Sequence, residues 1–154
     1  MQKVILDIIN KLELNLSDLT VLTEAASGNF AYTPIIAIAA GAKKVYAFTK
    51  DSHYGSAESV IKNIKTIIWQ SGFGDLENNI KFITKLDPGI IADSDIITNT
   101  GFLRPIDEKF INYMKPTASV PLMCETWEHR PSDVDLQACR MKNIAVLGTN
   151  EEDP

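Results

Sequence analysis

Val4, Ile5, Ile8, Ile9 and Leu12 recur at the spacing of one helical face, so the chain is expected to open with an amphipathic helix. "DLTVLTEAA" (18–26) then reads as a strand. Thr33 before Pro34 marks a helix start, with Thr33 as cap, and "YTPIIAIAAGA" (32–42) carries that helix to its stop at Gly41. It is apolar nearly all round, which places it in the interior. "KKVYAFTKDS" (43–52) is a β-branched and aromatic strand ending in Asp51. Ser56 starts a further helix with a stripe of Val60, Ile61, Ile64, Ile67 and Ile68, stopped by "QSGFG".

The second half continues the alternation. "NIKFITKL" (79–86) and "DSDIITNTG" (93–101) read as strands, and the short helix "DEKFINYM" (107–114) precedes the strand "ASVPLMCE" (118–125). Ser132 and Asp135 have capping-box spacing before the helix "VDLQACRMK" (134–142), and "IAVLGTN" (144–150) closes as a strand. Strand and helix thus alternate along almost the whole chain. The expected fold is α/β: an open, mostly parallel sheet of about six strands with helices on both faces, a Rossmann-like or flavodoxin-like three-layer sandwich. Residues 1–154 read as one α/β domain, either the amino-terminal part of a longer protein or a stand-alone relative.

Composition narrows the classes of function. Hydrophobic residues make up 45% of the 154 and charged residues 23%, enough to bury a core. The net charge of −5 opposes attraction to a phosphate backbone, so no nucleic-acid partner is expected. The longest apolar run, around "PIIAIAAGA", is too short to span a bilayer, and Asp7 interrupts the first apolar segment, so no membrane partner and a cytoplasmic location are expected. Cys124 and Cys139 fit neither a disulfide framework nor a zinc site, and His53 and His129 lack ligand spacing, so no metal is expected. Cys139, three residues after Leu136, reads as core.

Ligands of an open parallel sheet bind outside the carboxyl ends of its strands. The residues to watch are therefore 24–29, 51–54, 99–101, 125–130 and 149–151. In the first two, a turn opening a helix is followed about twenty residues later by an acid, a spacing suited to a phosphate and a ribose diol. Gly28, Asn29 and Asp51 are the cofactor-binding candidates there, although "ASGNF" is not G-x-G-x-x-G, and Asn29 and Phe30 put side chains where a pyrophosphate wants bare backbone. The structural alternative is a positive φ at Gly28 and an ordinary strand-end role for Asp51.

"TNTGFLRP" (98–105) supplies the substrate-binding candidates Asn99, Thr100, Gly101 and Arg104, through backbone amides and a guanidinium suited to a carboxylate or phosphate. "CETWEHRP" (124–131) is the densest cluster of ionisable and aromatic groups. Glu125, Glu128, His129 and Arg130 are of types used in acid–base work, but no triad spacing is present, and a solvated loop anchored by a partly buried Trp127 is the favoured reading. His53 and Tyr54 read as surface. No catalytic residue is assigned.

From "ADSDIITNTGFLRP" (92–105) through Asp135, Ala138, Ile144, Val146 and Thr149, the second half resembles the amino-terminal substrate domain of NAD-dependent D-2-hydroxyacid dehydrogenases. The resemblance implies a flavodoxin-like layer in which Asn99, Thr100 and Gly101 line a substrate cleft, with NAD and the catalytic Arg, Glu and His supplied by a further domain. It implies little activity from this chain alone. "TVLTEAASGNFAYTPIIAIAAGAKKVYAFTKDS" (20–52) resembles the opening of class I S-adenosylmethionine-dependent methyltransferases. That resemblance implies Gly28 beside the methionine moiety and Asp51 on the ribose. A small-molecule substrate is expected in the first case, S-adenosylmethionine in the second, and a protein partner if the domain is non-catalytic. Apolar surface left uncovered by a missing domain or subunit implies a homodimer or docking to a further domain.

Overall fold

The computed structural model describes residues 1–124 and 126–150. Six strands form one fully parallel sheet: β1 (Thr20–Glu24), β2 (Lys44–Phe48), β3 (Ile80–Ile83), β4 (Ile96–Ile97), β5 (Ser119–Pro121) and β6 (Ala145–Leu147), in the order β3-β2-β1-β4-β5-β6. This is the doubly wound order of the Rossmann fold, not the 2-1-3-4-5 order of flavodoxin. Of the two arrangements expected, the Rossmann-like one is observed.

Alternation along the strands builds two hydrophobic layers. Val21, Val45 and Ala47 face one layer, where they meet α1 (Gln2–Lys11), α2 (Thr33–Ala39) and α3 (Ala57–Gln70). Leu22, Tyr46, Phe48, Ile97 and Val120 face the other, against α4 (Pro88–Asp93), α5 (Glu108–Tyr113) and α6 (Leu136–Met141). β1 is buried at all five positions, as a central parallel strand must be.

β1 joins the two halves of the sheet through only two paired positions, Val21 with Ile96 and Leu22 with Ile97. Side chains reinforce this seam. Asp95 Oδ2 accepts the Thr20 N–H at 2.8 Å, and the Thr23 and Thr98 hydroxyls meet at 2.9 Å.

Local expectations differ from the structure in five places. Only Ile5 and Ile9 of the first helical stripe are buried; Val4, Ile8 and Leu12 are exposed because α1 touches the body along a narrow strip against α2. Thr33 lies inside α2 and Tyr32 occupies the cap position, because a 3₁₀ turn at Gly28–Ala31 leads directly into the helix. The capping box is replaced by Asp135, which is itself the cap of α6 and accepts the Ala138 N–H at 2.9 Å. α4 was not marked by periodicity, being only six residues long; its signal is Asp87 capping Gly89 and Ile90 ahead of Pro88. Trp127 is 74% exposed rather than partly buried, since the single 3₁₀ turn that carries it sits at the rim with no layer above it.

Ser56 caps α3 as its sequence indicates, and Cys139 is in the core. No helix among the described residues is long and apolar enough to cross a membrane.

Candidate functional site

The order of the sheet fixes where a ligand would sit. Strand order reverses between β1 and β4, and the connections leaving these strands diverge to opposite faces, opening a crevice at their carboxyl ends. Two cavities flank that crevice, and the sequence-marked residues divide between them.

On the β1 side lies a cavity of about 350 Å³ whose wall includes Glu24, Ser27, Gly28, Asn29, Tyr54 and Phe102. Glu24, the last residue of β1, is 4% exposed, and its Oε2 accepts the backbone N–H of Phe102 at 2.7 Å. The acid thereby pins the turn after β4 against the end of β1. Gly28 has φ +63°, and nothing lies within 4 Å of where its Cβ would be, so the glycine answers a backbone requirement and not a crowded one. Asn29 and Phe30 are exposed on the same 3₁₀ turn. Asp51 stands three residues beyond the end of β2, is exposed, and uses Oδ1 to accept the Ala57 N–H at 2.8 Å at the start of α3. Gly28 and Asn29 therefore share a cavity wall, while Asp51 is engaged with α3.

On the β4 side, Asn99 is 0% exposed and tied down on all sides. Its Oδ1 accepts the Met123 N–H at 2.6 Å, its Nδ2 approaches Cys124 Sγ at 3.9 Å, and its carbonyl accepts from Arg104 Nε. Thr100 is also buried and shares a hydroxyl hydrogen bond with Thr98 at 3.1 Å. Gly101 is exposed at the start of the turn. Arg104 is clamped by Asn99 and by an ion pair from Nη1 to Asp133 Oδ2 at 3.0 Å, yet remains 31% exposed.

Arg104 opens onto a second cavity of about 380 Å³, which it shares with Cys124, Trp127, His129, Arg130 and Asp133. His129 Nε2 is buried there without a hydrogen-bond partner among the described residues. The substrate candidates are thus not equivalent. Asn99 and Thr100 build the wall, and Arg104 presents the charge. Glu125 and Glu151 lie outside the described residues.

Glu24 lies in the range 24–29 marked from sequence but carried no role there; a lone carboxylate ending a buried central strand is the signal that marks it. Among the described residues, no group of three or more His, Cys, Asp or Glu could hold a metal.

This geometry bears on NAD directly. A diphosphate needs a concave surface of free N–H groups with neutral or positive surroundings. Here the turn has one glycine, two projecting side chains and a buried carboxylate, and no Lys, Arg or His lines the β1-side cavity. The diphosphate of NAD does not fit this turn.

Comparison with known proteins agrees on architecture. No protein-family model matches the sequence, and no curated protein matches it. Similar solved structures are shikimate 5-dehydrogenase from Listeria monocytogenes in complex with shikimate and NAD (TM-score 0.62, 13% identity, 96% of this chain and 51% of that one). The D-isomer-specific 2-hydroxyacid dehydrogenase from Lactobacillus delbrueckii ssp. bulgaricus in its NAD-complexed form gives a TM-score of 0.51 at 18% identity, over 87% of this chain and 36% of that one.

The fold is Rossmann-like. A ligand-free aspartate transcarbamoylase from Trypanosoma cruzi matches at TM-score 0.51 and 12% identity, over 94% of this chain and 47% of that one, so the shared architecture spans more than one kind of chemistry. The chain spans about half or less of the length of these proteins.

Proposed function

We propose that this Rossmann-like chain is one domain of an NAD-dependent, 2-hydroxyacid dehydrogenase-like oxidoreductase and supplies the substrate side of its cleft. Arg104 would anchor the carboxylate of a small 2-hydroxy acid, with the turn at Asn99, Thr100 and Gly101 as the wall behind it. The diphosphate of NAD would be held outside this chain.

The observation that carries this reading is the way Arg104 is mounted. Its guanidinium is fixed on one side by the Asn99 carbonyl and on the other by Asp133, at the lip of a cavity beside the strand-order reversal. A guanidinium held in one orientation loses little freedom when it takes a carboxylate in bidentate fashion. The dehydrogenase neighbours support the choice of reaction class, and the acid at Glu24 supports placing the diphosphate elsewhere.

The test is a pair of titrations of the purified chain, followed by NMR and by thermal shift. D-Lactate is expected to shift the His129 and Trp127 resonances, and Arg130→Ala and Arg104→Lys to weaken that shift while the fold persists. NAD is expected to leave stability unchanged. A ligand at 100 times its dissociation constant adds about 2.7 kcal/mol. A rise of that size with NAD alone, or a lactate response insensitive to both arginine variants, would overturn the proposal.

A further inference from the structure

The cavity at Arg104 is larger than a three-carbon acid needs. Such an acid takes up about the volume of three waters, roughly 90 Å³, whereas the cavity holds about 380 Å³. With the carboxylate on Arg104, room remains for a sizeable side chain.

The wall also limits the charge of that side chain. Its permanent charges balance, Arg104 and Arg130 against Glu128 and Asp133, and Asp133 is already paired with Arg104 at 3.0 Å. No surplus positive charge is left for a second ionised group, and taking one out of water without a counter-charge is costly.

One residue of the wall has no other task. Trp127 is 74% exposed, and among the described residues neither a ring nor a cation stands over its face. Other rings near the crevice are engaged: Lys50 Nζ lies 5.0 Å from the Phe102 centroid, and the rings of His53 and Tyr54 are 3.7 Å apart. A bare indole at the rim of a cavity offers a stacking platform, and stacked rings attract beyond what their buried area alone supplies.

We infer that the substrate is a 2-hydroxy acid with an uncharged aromatic side chain, and that Trp127 is the residue selecting it. The carboxylate sits on Arg104 and the ring lies on the indole face, filling the space a smaller acid would leave to water. This inference rests on the reading of Arg104 given above and adds the identity of the side chain.

Calorimetric titration of the whole chain with D-lactate, D-3-phenyllactate and D-3-cyclohexyllactate tests the two assignments separately. Phenyllactate is expected to bind about tenfold or more tighter than lactate. It should also bind about two- to tenfold tighter than cyclohexyllactate, which has the same carbon skeleton without a flat π-face. Trp127→Leu, at an exposed position outside the core, is expected to erase the preference for phenyl over cyclohexyl, and Trp127→Phe to keep part of it. Arg104→Lys is expected to weaken all three acids by a similar factor.

Phenyllactate binding no tighter than lactate, or a phenyl preference that survives Trp127→Leu, would overturn the inference and leave the carboxylate assignment standing. No binding of any of the three acids at about 10 mM would overturn both.

Discussion

The carboxylate of Glu24, at the tip of the first strand, accepts the backbone N–H of Phe102, seventy-eight positions later, at 2.7 Å. This bond joins the end of β1 to the turn after β4 across the strand-order reversal, and both residues line the β1-side cavity. Glu24→Ala is expected to lower stability by about 1.5–3 kcal/mol, the scale for a hydrogen bond to a charged group. Glu24→Gln should lose less, because the amide oxygen still accepts. Urea denaturation of the two variants separates the outcomes.

Asn99 is a structural residue in the turn that presents Arg104. Asn99→Ala leaves the Met123 N–H without its acceptor and is expected to cost about 1–3 kcal/mol. Asn99→Asp retains that acceptor and should recover part of the loss. Thermal denaturation of both variants provides the comparison.

Gly28 adopts φ +63° with open space where a side chain would go. Gly28→Ala is therefore expected to cost about 1 kcal/mol in backbone strain without a clash. A loss several times larger would place an unseen contact at this turn, and a chemical denaturation curve is enough to decide.

Acid should destabilise the chain through groups at the opposite end of the sheet from the cavities and along its edge. The Lys44 ammonium, and then the Tyr46 hydroxyl, hold the Asp93 carboxyl below its ordinary range, and Lys65 and Trp69 do the same for Glu77. Both groups bind protons less readily folded than unfolded. Their contribution is present above the ordinary carboxylate range and is lost as pH falls through it, below about pH 4. Melting temperature should therefore fall between about pH 5 and pH 3, and less steeply in Asp93→Asn.

The exposed side of α1 gives a control on packing. Ile9→Ala is expected to cost about 2 kcal/mol or more, whereas Ile8→Ala, on a side chain 52% exposed, should stay within about 0.5 kcal/mol. Equal losses would mean that another surface covers Ile8 in solution.

The fold was legible because burial on both faces makes a parallel strand rich in apolar and aromatic residues, as in the "VYAF" of β2, and because α3 carries a stripe of Val60, Ile64 and Ile68. Periodicity needs length. It reported the fourteen residues of α3 and had little to work with in the six of α4. Caps were legible where one side chain decides them, as at Ser56, and misassigned where a preceding turn displaced the start, as at Thr33.

The candidate site was legible only as a set of strand ends. Spacing placed Gly28 and Arg104 beyond the carboxyl ends of β1 and β4, where the structure has them. It could not show that Asn99 is sealed in, or that Asp51 turns back onto α3, because both depend on partners that spacing along the chain does not reveal. Glu24 opens the watched range 24–29 but could be given no role from sequence, because its partner is the backbone of residue 102, which carries no mark in its side chain.

The seam between β1 and β4 also marks where the molecule could be taken apart. A cut between Leu86 and Asp87 would leave three strands in each piece, and each piece would bare apolar surface that the other covers, with Leu22 and Phe48 on one side and Ile90 and Ile97 on the other. Two paired backbone positions and a few side-chain bonds are a weak latch between such halves. Fused to two interacting proteins, the pieces would reunite only when brought together, which would make this domain a reporter of proximity.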